Sequence, residues 1–409
     1  MSDDQPDGDD LPPLELRDGP AQVITTERDL DRYATQVALG SGPVALDAER
    51  ASGYRYSQRA YLVQVRREGA GTALIDPIAL PDLSTLNQAI GDAEWILHAA
   101  TQDLACLAEV NLTPTRLFDT EVAGRLLGRD RVSLAALVAS ELKFSLAKGH
   151  GATDWSIRPL TTAQLTYAAL DVEPLVALRD ILRADLENSG RWPAAEQEFD
   201  HLLGFRPRDR GPEPWRRLSG MHKLRKPRQW AIARELWITR DDLARRRDVA
   251  AGRLIPDAAI IAAVLGDPSG KAELIALSGF HGRGAARYLD TWWGAIVRGR
   301  ELPDAQLPDR NPRPEGPPPP RTWADKNPQA AARLASAKAG IATIAEQWGI
   351  APELLLTPET LRRLCWEPPV PETAETIAAA LARSGARPWQ IDATLAALTD
   401  ALATEVTSE

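Results

Sequence analysis

The stretch Val44-Ala45-Leu46-Asp47-Ala48-Glu49 decides how this chain is interpreted, because a short apolar run ends in two carboxylates two residues apart. Side chains alternate along a β-strand, so Asp47 and Glu49 are predicted to point to the same face. Two adjacent carboxylates cost free energy unless a cation neutralises them, and oxygen ligands favour Mg²⁺ or Mn²⁺. The alternative is an exposed strand end with two solvated acids, and the sequence that follows decides between the two.

Length and composition indicate the broad class of protein. A chain of 409 residues is too long for one ordinary core, so two or three domains are expected. An apolar content of 44% with 12 Trp indicates a folded, soluble protein. No apolar run approaches the roughly 18–20 residues that a membrane span needs, so no membrane partner is expected.

The two cysteines and the first residues indicate the compartment. Cys106 and Cys365 lie far apart, which excludes a disulfide framework or a cysteine zinc site and is typical of a reducing cytoplasm. The first ten residues include five Asp and no basic or apolar block, so neither a signal peptide nor a transit peptide is expected. Residues 1–20 are predicted to form a disordered acidic tail.

The residues around the opening stretch predict a mixed α/β sheet. Runs of β-type residues at Tyr61–Val65 and Ala73–Ile75 follow it after turn-rich segments, as in an antiparallel meander whose first strand carries Asp47 and Glu49. A helix is predicted at Leu83–Ile90 and a fourth strand at Trp95–Ala99. Strands then alternate with helices, which favours the mixed sheet.

Further acids lie at the beginnings of predicted helices or inside them. Thr101 is predicted to cap a helix that has Asp103 in its first turn. Thr161 begins a capping box, and the helix that follows contains Tyr167 and Asp171. These two side chains are four residues apart and share one helical face among Ala, Leu and Val. Asp171 is therefore expected to face the interior of the protein.

Four other residues near these acids have two possible roles each. Asp119 is interpreted as the N-cap of a helix and not as a further catalytic acid. His98 is interpreted as a packed or hydrogen-bonding residue and not as a metal ligand. Trp155 and Arg158 either contact a base or a phosphate of a nucleic acid, or support the loop that presents Tyr167.

Composition also divides the chain into segments. Residues 206–215 are rich in Arg, Pro, Asp and Gly, and residues 303–321 end in four prolines, so both regions are predicted linkers. Residues 213–301 contain 17 Lys or Arg against 10 Asp or Glu, which indicates nucleic-acid contact in a chain with a net charge of −9. The predicted units are 1–20 (tail), 21–205, 206–212 (linker), 213–302, 303–321 (linker) and 322–405.

Three motifs together resemble a known family. They are Leu46-Asp47-Ala48-Glu49, His98-Ala99-Ala100-Thr101-Gln102-Asp103-Leu104 and Tyr167-Ala168-Ala169-Leu170-Asp171, with Phe118-Asp119-Thr120 and residues 153–160 as further matches. In this order they resemble the Tyr-containing branch of the DEDD superfamily of 3′–5′ exonucleases, and within it the ribonuclease D family. The resemblance implies a ribonuclease H-like mixed-sheet exonuclease domain at 21–205. It also implies an all-helical HRDC domain at 213–302 and a second HRDC-like unit at 322–405.

The resemblance also implies a mechanism. Asp47 would bridge two divalent ions, Mg²⁺ or Mn²⁺, and Glu49 and Asp171 would hold the ion that activates the attacking water. Asp103 would support the second ion, and Tyr167 would orient the water. The implied substrate is the 3′ end of structured RNA, such as a tRNA precursor, which is shortened by one nucleoside 5′-monophosphate at a time. A monomer is favoured.

Two other functions stay open at this point. One is a DNA exonuclease, because nothing in the motifs distinguishes ribose from deoxyribose. The other is a non-catalytic RNA-binding protein on a nuclease fold, although the complete set of four acids with a tyrosine argues against it. Within 213–302 the tryptophans Trp215, Trp230 and Trp237 are interpreted as core residues. The basic residues expected to contact phosphates are Lys223, Arg225, Lys226 and Arg228, with a second cluster at Arg245, Arg246 and Arg247.

Overall fold

A six-stranded mixed sheet forms the centre of the first domain. The computed structural model describes residues 11–147, 149, 151, 153–309 and 316–403. Within the sheet the order is β1-β4-β3-β2-β5-β6, so the predicted mixed α/β sheet is confirmed. The strands are β1 (Gln22–Ile24), β2 (Ser41–Arg50), β3 (Ala60–Glu68), β4 (Gly71–Ile75), β5 (Trp95–Leu97) and β6 (Leu117–Asp119).

Strand β2 lies in the interior of the sheet and carries the opening stretch. It pairs antiparallel with β3, which pairs antiparallel with β4, so the predicted meander is confirmed. On its other side β2 runs parallel to β5, and β5 runs parallel to β6. Val44, Ala45 and Leu46 are fully buried, because helices cover both faces of the sheet at this position. The short edge strands β1 and β6 were not predicted.

Helices cover the two faces of this sheet in separate layers. Leu30, Tyr33 and Val37 of α1 belong to the core on one face, and Leu178 and Leu182 of α7 belong to the core on the other face. The helices of this domain are α1 (Glu27–Leu39), α2 (Ser84–Ile90), α3 (Leu104–Ala108), α4 (Thr120–Leu126), α5 (Leu134–Leu137), α6 (Thr162–Val172), α7 (Leu175–Asn188) and α8 (Trp192–Leu203).

The start of α3 differs from the sequence prediction. Thr101 does not cap a helix: residues 100–102 form a 3₁₀ turn, and α3 begins at Leu104 with Asp103 in the N-cap position. The reason is a contact from a distant part of the chain. The buried Asp119 carboxylate accepts hydrogen bonds from the backbone N–H groups of Ala99 (3.2 Å) and Ala100 (2.7 Å), which holds the turn. Ala99 takes a left-handed φ of 56° there.

Residues 11–20 were predicted to be part of a disordered tail, and this prediction is wrong for them. Arg17 Nε donates to Glu173 Oε1 at 2.6 Å, and Asp18 accepts from the buried Arg66 at 2.6 Å. The two pairs attach this segment to the exonuclease domain, because Glu173 and Arg66 are buried and need partners of opposite charge. Residues 1–10, the most acidic part of the predicted tail, lie outside the described residues.

The second domain is all-helical and has a core of its own. Trp215 and Trp230 are buried in that core and Trp237 is partly buried against it, which confirms the interpretation of the tryptophans as core residues. The helices are α9 (Pro227–Arg247), α10 (Ala251–Leu254), α11 (Asp257–Gly266), α12 (Lys271–Ala276), α13 (Arg283–Arg287) and α14 (Leu289–Glu301).

The third helical unit shares its core with the exonuclease domain. Trp389 donates from its indole nitrogen to Glu198 of α8 at 2.7 Å and stacks on Trp348, with ring centroids 5.7 Å apart. Leu178 and Leu182 of α7 belong to the same apolar cluster as residues of this unit. Its helices are α15 (Trp323–Lys326), α16 (Pro328–Trp348), α17 (Pro352–Leu355), α18 (Pro358–Trp366), α19 (Ala374–Arg383) and α20 (Pro388–Leu402).

No helix in the described ranges is both long and apolar enough to cross a lipid bilayer.

Candidate active site

An open cleft of about 500 Å³ lies where the end of β2, the turn after β5 and helix α6 meet. The four acids of the three motifs, together with Tyr167, line this cleft. The sequence predicted each motif separately, and the tertiary structure brings all three to one place. The lining also includes Arg50, Gly53, Tyr54 and His98.

Three of the carboxylates come close enough to hold one cation. Asp47, Glu49 and Asp171 each offer an oxygen atom within 4.8 Å of the other two. Asp47 and Glu49 face the same side of β2, as the alternation of the strand predicts. Asp103 lies beside Asp47 but outside this set of three, and it is almost fully buried. The arrangement therefore has one compact three-carboxylate site with a fourth acid next to it.

Burial and mutual repulsion raise the pKa values of these acids. The pKa of Glu49 rises to about 10, first because the side chain is buried and then because Asp47, Asp171 and Asp103 are near. Burial and the charge of Asp47 raise the pKa of Asp171 to about 8. The pKa values of Asp47 and Asp103 are also raised, with burial as the main cause. A cluster of this kind takes up protons unless another cation replaces them.

The donor set fits a divalent metal ion. Four carboxylates supply oxygen ligands only, which are the ligands that Mg²⁺ and Mn²⁺ prefer. Among the described residues that line the cleft, the positive charge comes from Arg50, whose Nε lies 3.8 Å from Asp103 Oδ1. One guanidinium group cannot balance four carboxylates, so the cleft is suited to bind divalent cations.

Tyr167 is placed to contact a water molecule or substrate beside these acids. Its hydroxyl hydrogen-bonds Asp171 one turn further along α6. Burial, together with the charges of Asp171, Glu49 and Asp47, raises the pKa of Tyr167 well above its usual value. The phenol therefore stays protonated at neutral pH and keeps a proton to donate.

Two contributors to the site were missed in the sequence. Gln64 is fully buried and lies opposite Asp47 in the β2–β3 register, where its Nε2 donates to Asp47 Oδ2 at 3.3 Å. The signal that could have found it was a polar residue inside the apolar run Tyr61–Val65. Arg50 follows Glu49 directly, and its Nε lies 3.8 Å from Asp103 Oδ1.

Trp155 and Arg158 make contacts within the fold, next to the loop that leads to α6. The Trp155 side chain is fully buried and its ring lies 6.3 Å from that of Tyr167, so no base can stack on it. Arg158 donates to both oxygens of Asp76 and to the backbone oxygens of Tyr61 and Trp155. The predicted nucleic-acid contact is therefore wrong for Trp155. The donors of Arg158 are used within the fold, and both residues match the alternative interpretation, in which they support the loop before α6.

His98 and Asp119 have the structural roles expected for them. His98 Nδ1 lies 2.9 Å from the hydroxyl of Thr120, and burial lowers its pKa to about 4, so the ring is neutral at physiological pH. Asp119 accepts from the backbone N–H groups of Glu121 (2.8 Å) and Val122 (3.2 Å), which confirms it as the N-cap of α4.

The predicted basic cluster of the second domain lies on and before the start of α9. Lys223, Arg225 and Lys226 are exposed, so their contact with phosphates stays a prediction. Arg228 differs, because it donates to the backbone oxygen of Leu302 and to Asp304, which joins α9 to the end of α14. Its guanidinium donates to these partners and is less exposed than the side chains of Lys223, Arg225 and Lys226.

Comparison with family models divides the chain into three matched regions. Residues 21–187 match a model described as a 3′–5′ exonuclease, and residues 229–296 match the HRDC domain. Residues 316–402 match a model described as a 3′ to 5′ exonuclease C-terminal domain. The first match contains all four acids and Tyr167.

Comparison with curated proteins identifies the family. A ribonuclease D from Gluconacetobacter diazotrophicus is 31% identical over 361 residues, which cover 85% of this chain and 86% of that protein. The chain belongs to the ribonuclease D family. As a ribonuclease D it is a 3′–5′ exoribonuclease, and the resemblance inferred from the motifs is confirmed.

Solved structures agree with this assignment to the ribonuclease D family. A crystal structure of a protein from Bifidobacterium adolescentis is 36% identical, with a TM-score of 0.88, and the match covers 96% of this chain and 100% of that one. The crystal structure of Escherichia coli RNase D is 26% identical, with a TM-score of 0.66, covering 93% and 98%. The exonuclease and helical domains thus have the arrangement of a ribonuclease D over nearly the whole chain.

Proposed function

We propose that this ribonuclease D trims the 3′ ends of structured RNA, such as tRNA precursors, with two divalent ions, Mg²⁺ or Mn²⁺. The observation that carries the proposal is the convergence of Asp47, Glu49 and Asp171 beside Tyr167 in an open cleft, with Asp103 adjacent. Support for the RNA class comes from Escherichia coli RNase D, which is described as an exoribonuclease involved in structured RNA processing.

The reaction is the hydrolysis of the last phosphodiester bond. Water attacks the phosphorus atom, the bond to the 3′ oxygen of the preceding nucleotide breaks, and that oxygen takes up a proton. The products are a nucleoside 5′-monophosphate and an RNA shortened by one residue. Bound divalent ions would supply Lewis-acid activation of water and neutralise charge on the phosphate.

The residues of the chain divide the remaining tasks. Asp47, Glu49 and Asp171 offer oxygen ligands from two rigid elements, β2 and α6, and Asp103 offers one from the start of α3. Tyr167 keeps its proton because its pKa is raised, so its hydroxyl can orient the attacking water by hydrogen bonding. Gln64 holds one Asp47 oxygen from the neighbouring strand and thereby orients that carboxylate.

A 3′-end degradation assay tests the proposal. Matched 5′-labelled RNA and DNA strands are incubated with the full chain in Mg²⁺, in Mn²⁺ and in EDTA, alongside Asp47→Asn. Asp92→Asn is the matched control, because it makes the same chemical change at an exposed acid that does not line the cleft. A ladder that shortens from the 3′ end of RNA, needs metal and is lost only in Asp47→Asn is the expected result.

Two outcomes of this assay would contradict the proposal. Equal or faster shortening of DNA would indicate a DNA exonuclease. Tight RNA binding without a ladder under any metal would indicate a binding protein on a nuclease fold. A precursor tRNA with a 3′ extension, compared with an unstructured strand of the same length, tests the substrate class.

The compartment and the oligomeric state belong to the same proposal. Cys106 and Cys365 are both free and buried, which suits a reducing cytoplasm. Light scattering on the purified chain tests the monomer, and fractionation of cells tests the cytoplasmic location.

A further inference from the structure

The loop between β2 and β3, residues 51–59, forms part of the rim of the catalytic cleft through Ser52, Gly53 and Tyr54. We call it the rim loop. It directly follows strand β2, which carries Asp47 and Glu49. A segment that contacts the rim loop therefore lies at the entrance to the active site.

The HRDC domain holds this loop by its backbone. The N–H group of Ala250 donates to the carbonyl oxygen of Tyr54 at 2.9 Å. Arg253 Nε, from helix α10, donates to the carbonyl oxygen of Gly53 at 2.8 Å. Because both acceptors are cleft residues, the HRDC domain reaches the rim of the exonuclease site itself.

A second group of contacts fixes the same junction a few residues further along the loop. The Tyr56 hydroxyl donates to both oxygens of Asp241, at 2.9 and 3.0 Å. The backbone N–H of Ser57 donates to Asp248 Oδ1 at 2.9 Å. These bonds are directional, so the HRDC domain has a defined position against the rim loop and not a sliding contact.

Arg253 presents an unneutralised charge at this position. Its guanidinium carbon lies 4.0 Å from the centroid of the Tyr54 ring, and its Nε is occupied by Gly53. The residue is exposed. Among the residues that the structure describes, no carboxylate oxygen pairs with Arg253 within 4.0 Å, unlike Arg245 on α9, which pairs with Asp241. The two Nη groups are therefore available to a ligand.

A cation at the rim of the cleft would favour the binding of an RNA strand. An RNA strand carries a negative charge at every phosphate, and the cleft already contains four acids. Arg50, the cation among the lining residues that the structure describes, lies against Asp103 and Gln102. A guanidinium group binds a phosphate through two parallel N–H bonds, and the ring of Tyr54 fixes the plane of this one.

We propose that Arg253 is a substrate-binding residue of the exonuclease cleft, contributed by the HRDC domain, and that it binds a backbone phosphate of the RNA strand entering the site. This inference rests on the proposed function, because it takes RNA as the strand that occupies the cleft. It assigns the HRDC domain a contact at the active-site rim, in addition to any contact made by its basic cluster.

The test measures RNA binding separately from turnover. Fluorescence anisotropy of a labelled single-stranded RNA is recorded with the full chain carrying Asp47→Asn in Mg²⁺, over a series of salt concentrations. Adding Arg253→Gln is expected to weaken binding about tenfold, the effect of removing one charged hydrogen-bonding group. The slope of log affinity against log salt is expected to fall by about 0.7, the value for one single-strand phosphate that the protein no longer neutralises.

Two further variants separate phosphate binding from support of the loop. Arg28→Gln is the matched control, because Arg28 is an exposed arginine of α1 that does not line the cleft, and it should leave affinity and slope unchanged. Arg253→Lys keeps the charge but loses the planar fork, so it should restore the slope while recovering only part of the affinity. Thermal unfolding of each variant confirms that the chain is folded.

The possible results distinguish the two proposals. If Arg253→Gln leaves the salt slope unchanged while RNA shortening by the parent chain is normal, the Arg253 inference is wrong and the proposed function stands. If the unmodified chain, with Asp47 intact, produces no ladder but Arg253→Gln still lowers the RNA affinity and the salt slope, the exonuclease proposal is wrong and the phosphate site stands. Arg253→Gln is also made in the chain with Asp47 intact. If it lowers kcat there but leaves the salt slope of RNA binding unchanged, Arg253 only supports the rim loop, which contradicts the inference.

Discussion

Asp171→Asn is expected to abolish turnover and at the same time to stabilise the metal-free protein. Turnover is lost because the amide replaces one of the three oxygen ligands that converge in the cleft. Stability rises because the Asp171 carboxylate is partly buried and lies near the charge of Asp47, so that its pKa is raised to about 8. An asparagine of the same shape removes this charge and can still accept the hydrogen bond from Tyr167.

The magnitude follows from the difference between the folded and unfolded pKa values. Asp171 has a pKa of about 8 when folded against an ordinary value of 3.8, so the folded state binds the proton more tightly. Stability is therefore lost as pH rises from the unfolded pKa through the folded one, to a total of about 6 kcal/mol at about 1.36 kcal/mol per pH unit. Neighbouring acids relax when the charge is removed, so the expected gain at about pH 8 is roughly 2–5 kcal/mol, and about half of that at about pH 5.5.

Urea unfolding of both chains in EDTA at these two pH values measures the effect. Asp92→Asn serves as the control, since this acid is exposed and lies outside the cleft. Adding Mg²⁺ should stabilise the parent chain more than the variant, because ligand binding to the folded state adds stability. The reasoning is refuted if Asp171→Asn is less stable than the parent in EDTA at the higher pH, or if the difference does not grow with pH.

Four further predictions concern the metal, the support of the site, the basic cluster and the third unit. Mg²⁺ binding near pH 7 should release protons, because the pKa values of Glu49 (about 10) and Asp171 (about 8) leave both groups protonated without metal. Calorimetry in two buffers of different ionisation heat counts these protons, and an affinity that does not rise with pH would contradict the prediction. Trp155→Ala should cost about 3–5 kcal/mol of stability in urea unfolding and slow turnover, since the buried ring packs near Tyr167. Trp155→Phe should lose much less, and equal losses would argue against packing as the cause. Replacing the exposed Lys223, Arg225 and Lys226 by Gln should lower the salt slope of RNA binding by about 0.7 for each phosphate that the cluster no longer neutralises. An unchanged slope would place the cluster on a solvated face. Ending the chain at Asp309 should give an aggregated or unfolded product, because the third unit shares its core with Leu178 and Leu182 of α7. A soluble, folded and active truncated chain would refute this.

Much of the catalytic set could be predicted because each motif is local. Asp47 and Glu49 are two residues apart on a strand, and Tyr167 and Asp171 are four apart on a helix, so their shared faces follow from the geometry of one element. Gln64 could not be predicted in the same way. Its role depends on the register of β3 against β2, which places it opposite Asp47.

Errors in the prediction arose where a distant contact overrides a local preference. Thr101 has the side chain of a good N-cap, but the Asp119 carboxylate shapes the turn before it and moves the helix start to Leu104. An aromatic residue in a loop, such as Trp155, suits both base stacking and support of the loop by packing. Burial decides between these roles, and burial is a property of the whole fold.

The sequence by itself determined which chemistry this protein can perform. Acids at fixed short spacings, in a known order, specify an oxygen-ligand site and a ribonuclease D family member, because these spacings act within single strands and helices. Only the tertiary structure decided which charges remain available. It pairs Arg228 with the end of α14 and Arg158 with Asp76. Among the residues that the structure describes, it leaves Arg253 at the rim of the cleft without an acidic partner. The physical reason is that the effect of a charge depends on the neighbours that neutralise it, and those neighbours come from distant parts of the chain.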